Sequence, residues 1–272
     1  MKTIMRLYKY QGAGNDFLIA DNRSGAISMD TDEISRLCDR HYGIGADGLM
    51  LLEKSIRHDF RMVYFNSDGS GGMMCGNGGR CIVAFAADMG ISHFDFEAAD
   101  GFHTAEILDN KGNGKTVRLK MKNVTDIKQE NGDSWFIDTG TRHTVRFVAG
   151  LDSLDVAGKG REIRYREEYA PVGVNVNFAE IMSAERLLRV RTYEKGVEAE
   201  TFACGTGITA SAVAAYLRSP GMWEKSGNGH VRIPVSALRD SLAVDFTPEE
   251  DGSFRDVWLT GGAVRVAVIE TY

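Results

Sequence analysis

Half a chain apart, two segments of this sequence begin in the same way. Aligned on cysteine, CGNGGRCIVAFAA (75–87) and CGTGITASAVAAY (204–216) share a Cys-Gly-x-Gly start and a run of small residues, at an offset of 129 residues (204 − 75). The stretches ahead of them repeat as well: VYFN ends at Asn66, nine residues before Cys75, and RTYE ends at Glu194, ten before Cys204. A period that long does not belong to a solenoid, so two similar domains are expected. The seam is expected near 122–134, where polar residues and Asn131-Gly132 interrupt the pattern, giving domains over 1–125 and 126–261. The segments 76–90 and 205–219 are apolar and small almost all round, which predicts helices packed deep against sheet.

The rest of the pattern is strand-like. Alternating runs at 60–65, 116–121, 186–193 and 263–272 are separated by turn signals at Asp100-Gly101, 109–115, 129–134 and Asn228-Gly229. These predict antiparallel hairpins rather than βαβ crossovers. With 43% hydrophobic and 26% charged residues the chain can bury a sizeable core, and its formal charge of −6 offers no basic surface to nucleic acid or an anionic membrane. Small molecules are the expected partners. The N-terminus lacks a signal-peptide core and no window approaches the roughly 18 apolar residues of a membrane span, so a cytoplasmic location is expected. Cys38, Cys75, Cys81 and Cys204 lack CxxC spacing, so no disulfide framework is expected, and any special thiol is a catalytic one. The histidines show no metal-ligand spacing. GIGADG (43–48) and GTGITA (205–210) fit dinucleotide-loop patterns, but the first precedes a strand instead of following one and the second lacks the later acidic residue. No cofactor or metal is therefore expected.

A cysteine at a helix start has a chemical consequence. The unsatisfied amides and positive end of the dipole favour an anion by up to about 2 kcal/mol, enough to bring a thiol from about 8.5 to near 7. Glycines at 76, 78, 205 and 207 leave those amides open to a ligand's carboxylate as well. Two such units suit inversion of a stereocentre beside a carboxylate, one thiolate removing a proton from one face while one thiol delivers a proton to the other. Cys81, six residues past Cys75, and Cys38 are expected in the core.

The motifs GAGNDF (12–17), GIGADG (43–48), FNSDG…CGNGGR (65–80), GVNVNF (173–178) and YEKG…ACGTG (193–207) together resemble the diaminopimelate epimerases over essentially the whole chain. The resemblance implies an α/β (α+β) fold of two pseudo-symmetric domains, each a mostly antiparallel, barrel-like sheet round a central helix, with a C-terminal strand at 262–272 returning to the first domain. It implies cofactor-independent epimerisation of LL-diaminopimelate to meso-diaminopimelate for lysine and peptidoglycan precursors, in a homodimer. Cys75 and Cys204 match the acid/base pair, and Gly76, Asn77, Gly205 and Thr206 match the positions that hold the carboxylate. Asn15, Asn66 and Asn175 match substrate-binding asparagines, and Glu194 the acidic residue near the amino group. Lys195 stands where arginine is more usual, replacing a two-pronged grip by a point charge. His143 is kept as a supporting residue, whereas Thr141 and Arg142 depart from the family pattern and Gly48 replaces a polar side chain of some relatives.

Two other readings compete. A proline racemase-like enzyme shares the thiol pair, but its substrate lacks a second amino-acid head for Asn66, Asn175, Glu194 and Lys195 to bind. Phenazine-pathway isomerases share the fold without both thiols. From a different class, Cys75 and Cys204 are candidates for a redox switch on a ligand-binding protein.

Overall fold

The computed structural model describes residues 5–271; residues 1–4 and 272, the extremes of the expected first domain and its closing strand, lie outside the described residues. The chain divides into two compact units, one running to Leu119 and resuming at Gly261, the other Lys120–Thr260.

In the first unit, β1 (Met5–Gly12), β2 (Asn15–Asp21), β3 (Gly48–Glu53), β4 (Phe60–Asn66), β5 (Asp95–Ala98), β6 (Gly101–Lys111) and β7 (Gly114–Lys120) pair in sequence order. Strand β17 (Phe254–Thr271) closes the ring, residues 261–264 pairing with β7 and 264–271 with β1. The result is a closed eight-stranded barrel. The second unit runs β8 (Asp126–Gln129), β9 (Ser134–Asp138), β10 (Arg142–Phe147), β11 (Asn175–Met182) and β12 (Leu187–Glu194), then β15 (Val231–Ser236), β16 (Ser241–Pro248) and the start of β17. A bridge between Val124 and Phe254 links its ends, while short β13 (Ala199–Thr201) and β14 (Glu224–Lys225) attach to β12 and β15.

Four α-helices among the described residues complete the pattern: α1 (Thr31–Cys38), α2 (Gly76–Asp88), α3 (Val156–Arg164) and α4 (Gly205–Arg218). Each lies between two parallel strands: α1 between β2 and β3, α2 between β4 and β5, α3 between β10 and β11, α4 between β12 and β15. The hairpins read from the turns are present, but these four crossovers correct the expectation that hairpins alone join the strands. A turn dipeptide marks a hairpin locally, whereas a parallel pair is set by residues far apart in sequence and leaves no local mark.

The repeat is therefore one of topology as well as motif. Helices α2 and α4 are enclosed. Every residue of α2 from Gly76 to Ala86 is buried, as is nearly all of α4 to Tyr216. Only a helix of slender residues fits inside an eight-stranded barrel, which explains the Gly-Gly and Ala runs; a Cβ on Gly79 would already lie 3.0 Å from Leu119. Helices α1 and α3 instead cover the outside. Ile34, Leu37 and Cys38 pack on Leu7, Leu18, Leu49 and Leu51, and Val156 and Ile163 on Val174, Val176 and Phe178. Strand side chains alternate accordingly, Tyr8 and Tyr10 packing on Phe85 of α2 while Leu7, Leu18 and Ala20 pack with α1. Cys81 and Cys38 are both core residues, and burial raises both thiols, Cys38 to about 11.

Candidate active site

Cys75 and Cys204 are the N-caps of the two enclosed helices, each in extended conformation just ahead of the first helical glycine. The Cys75 Sγ accepts from the Gly78 amide at 3.3 Å, as the sequence led one to expect. The Cys204 Sγ lies 3.4 Å from the Thr206 hydroxyl, in the first turn of its helix. Cys75 is exposed and Cys204 is buried.

Around Cys75 the first turn of α2 is held from beneath. Arg80 is completely buried and donates to the carbonyls of Gly76 (3.1 Å) and Gly262 (3.3 Å) and to Asn77 Oδ1 (2.9 Å). Asn77 passes its amide on to Asn15 Oδ1, and Asn15 donates to Asp47 at 3.0 Å. Asp47 is held in turn by Arg40 at 2.8 Å. Arg80, Asp47 and Arg40 were not singled out from sequence, although the first two lie in the GNGGR and GADG motifs. Asn66, the last residue of β4, closes the turn to Ser70, its amide donating to the Ser70 hydroxyl at 3.0 Å. This is a turn-forming role.

At the other end of α2, Asp88 receives Tyr10, Lys115 and Arg265. Burial alone would raise its carboxyl, and the bonds from Lys115 and Tyr10 outweigh that and lower it. Both ends of the helix are thus pinned by charge.

In the second unit, Asn175 opens β11 and ties two backbone segments, donating to the Arg142 carbonyl at 3.0 Å and accepting from the Lys195 amide at 2.8 Å. Glu194 ends β12; burial raises its carboxyl, and only the Thr201 hydroxyl at 3.0 Å opposes this. The Lys195 Nζ reaches the Val172 carbonyl at 3.4 Å. The turn that follows is clamped by Glu198, at φ 57, which accepts from the Gly196 amide, Arg164, Tyr165 and Tyr193 and is held down at about 2, chiefly by that amide. Arg142, one of the departures from the family pattern, lies over the Phe136 ring at 5.7 Å. His143 is fully buried and hydrogen-bonded to Asn177, Thr141 and Thr206. Thr139, in the turn between β9 and β10, and Asn177, inside the GVNVNF motif, were not singled out, and Thr141 was noted only as a departure from the family pattern; their roles emerge only once their partners are known.

Gly48, at the start of β3, holds the place in the first unit that Asn175 holds in the second. A Cβ there would fall 2.5 Å from the Phe65 carbonyl and 2.5 Å from the Tyr64 ring, so Tyr64 occupies the space that a side chain would need.

Among the described residues no helix is long and apolar enough to cross a membrane, and no group of three or more His, Cys, Asp or Glu is placed to hold a metal ion.

The comparisons with known proteins agree with one another. A diaminopimelate epimerase from Flavobacterium psychrophilum is 43% identical over 262 residues, covering 95% of this chain and 97% of its own. One from Chlorobaculum tepidum is 46% identical over 263 residues, covering 94% and 96%. Among solved structures, a phenazine biosynthesis protein from Bacillus anthracis superposes with a TM-score of 0.75 at 14% identity, over 99% of both chains. A hydroxyproline epimerase from Agrobacterium vitis gives 0.68, also at 14% identity, over 99% of this chain and 93% of its own. At such identities the structures speak for the fold alone. The sequence pattern described as Diaminopimelate epimerase matches residues 7–125 and 135–226. With most of the chain matched and its relatives aligned almost end to end, the chain belongs to the diaminopimelate epimerase family.

Proposed function

We propose that the chain interconverts LL- and meso-diaminopimelate without a cofactor, Cys75 and Cys204 acting as base and acid on opposite faces of one carbon. The observation that supports this best is that each cysteine caps the helix enclosed by its own barrel, at the same place in two copies of one topology. The activity for which its relatives are named supplies the substrate. A thiolate takes the proton from the carbon, a thiol on the far side returns another, and the reverse reaction exchanges their roles. In this reading the amides of Gly76, Asn77, Gly205 and Thr206 receive the adjacent carboxylate and stabilise the charge that spreads onto it as the carbanion forms. Asn15, Asn66 and Asn175 offer polar contacts to the substrate, including its distal head, and Lys195 a cation to the distal carboxylate. Glu194, whose carboxyl burial raises, meets the substrate ammonium, a positive charge that favours its ionised form. His143 supports the second thiol through Thr206.

The reading extends to a homodimer in the cytoplasm and to two domains that carry one thiol each. Incubating the reduced protein with LL-diaminopimelate and resolving the stereoisomers tests it. Appearance of the meso isomer is expected, and an unchanged substrate, with proline-type substrates turned over instead, would replace it with the racemase reading.

A further inference from the structure

The Cys204 sulfur stands at the end of a chain of side chains that starts deep in the second barrel. Asn177, on β11, is fully buried, and its amide is oriented by two partners that leave no choice. The Thr144 carbonyl, 3.3 Å from Asn177 Nδ2, can only accept, so Nδ2 must face it; the Thr192 hydroxyl donates to Oδ1 at 2.9 Å. The second hydrogen of Nδ2 then points at His143 Nδ1, 3.0 Å away. His143 is neutral because burial drives its pKa down to about 3, with the Lys195 charge working in the same direction. A neutral imidazole that accepts at Nδ1 carries its proton on Nε2.

That placement orients the hydroxyls beyond it. Nε2 lies 2.9 Å from Thr141 Oγ1 and 3.0 Å from Thr206 Oγ1, and the two oxygens are 3.0 Å apart. With a hydrogen arriving from Nε2, the hydroxyl hydrogens run away from the ring, from Thr141 to Thr206 and from Thr206 to Cys204 Sγ at 3.4 Å. The opposite tautomer would draw a hydroxyl hydrogen towards the imidazole. We infer that Asn177 is a positioning residue of the second thiol: by fixing the tautomer of His143 it turns the Thr206 hydroxyl towards Cys204 as a hydrogen-bond donor, which favours the thiolate.

The packing bears this out. A Cβ on Gly207 would lie 2.3 Å from Asn177 Oδ1 and 3.2 Å from His143 Cε1, so the first turn of α4 is pressed directly onto the pair. In the first unit the Gly78 amide donates to the Cys75 Sγ. The inference rests on Cys204 as one of the two acid/base groups, but its test does not pass through turnover.

Two readouts decide it. In protein labelled with ¹⁵N-histidine, the His143 resonances, assigned by their loss in His143→Gln, are expected to show the proton on Nε2 between pH 5 and 8. In iodoacetamide labelling at pH 7.5 followed by peptide mapping, Asn177→Leu is expected to slow Cys204 about ten-fold, the factor for one hydrogen bond lost, while Cys75 keeps its rate. Thr192→Val, which releases the amide of Asn177 but is nearly isosteric, should slow Cys204 in the same direction by a smaller factor, and carries the test if Asn177→Leu does not fold. A proton on Nδ1, a Cys204 rate unchanged in the folded variants, or both thiols slowing together would overturn the inference. Failure of the epimerase reading would appear separately, as absent turnover of diaminopimelate with the relay intact.

Discussion

Acidification from pH 7 to pH 5 tests how deeply His143 is committed to its neutral form. Its ordinary pKa is 6.5 and burial lowers it to about 3 in the folded chain. A folded value below the unfolded one means that the unfolded chain binds the proton first, so stability is complete above pH 6.5 and is lost as pH falls below it. Linkage with these values gives a loss of about 2 kcal/mol between pH 7 and pH 5, approaching a limit close to 5 kcal/mol by pH 3. The upper window is the informative one, because most carboxylates titrate below it. Urea denaturation of the wild-type chain and of His143→Gln, followed at pH 7, 6 and 5, isolates the contribution: the wild-type curve should fall about 2 kcal/mol further than the variant's over that range. Parallel curves would refute the claim that the imidazole is held neutral by burial.

Three further outcomes are expected. Asp88→Asn removes the carboxylate from Lys115, which is almost wholly buried, and should destabilise the first unit by about 3 kcal/mol in thermal or urea unfolding. Gly207→Ala places a methyl against Asn177 Oδ1 in a packed interior and should cost about 1–3 kcal/mol, with a fall in kcat measurable in the stereoisomer assay. Lys195→Arg should lower KM if the side chain grips the distal carboxylate, and an unchanged KM would remove it from the site.

What the sequence revealed and what it hid follow from the range of the forces involved. The enclosed helices were legible because a barrel interior demands small apolar residues on every side, and the capping cysteines because glycine follows them at fixed spacing. The hairpins were legible from local turn chemistry at Gly101, Gly112, Gly132 and Gly229, all at positive φ. The parallel crossovers and the covering helices α1 and α3 were not, since VAGKGREIR and TDEISRLC are short, polar on one face and stabilised by packing on strands far away in sequence. The same distinction holds around the thiols. Cys75 and Cys204 announce themselves, whereas the Arg80–Asn77–Asn15–Asp47 chain and the Thr192–Asn177–His143–Thr206 chain exist only once remote segments meet. Asn66 shows the opposite hazard, since its motif match and its turn-forming role occupy the same residue.

Early turnover of LL-diaminopimelate in deuterium oxide tests the two-thiol account most directly. A thiol holds one proton, so the group that removes the substrate hydrogen can return only that hydrogen to the original face, while the opposite thiol carries solvent deuterium. At low conversion the inverted product should therefore hold deuterium and the remaining substrate none, and no deuterated inverted product should form in Cys75→Ala or in Cys204→Ala. Deuterium appearing equally in recovered substrate and product, or inversion persisting in either variant, would contradict it.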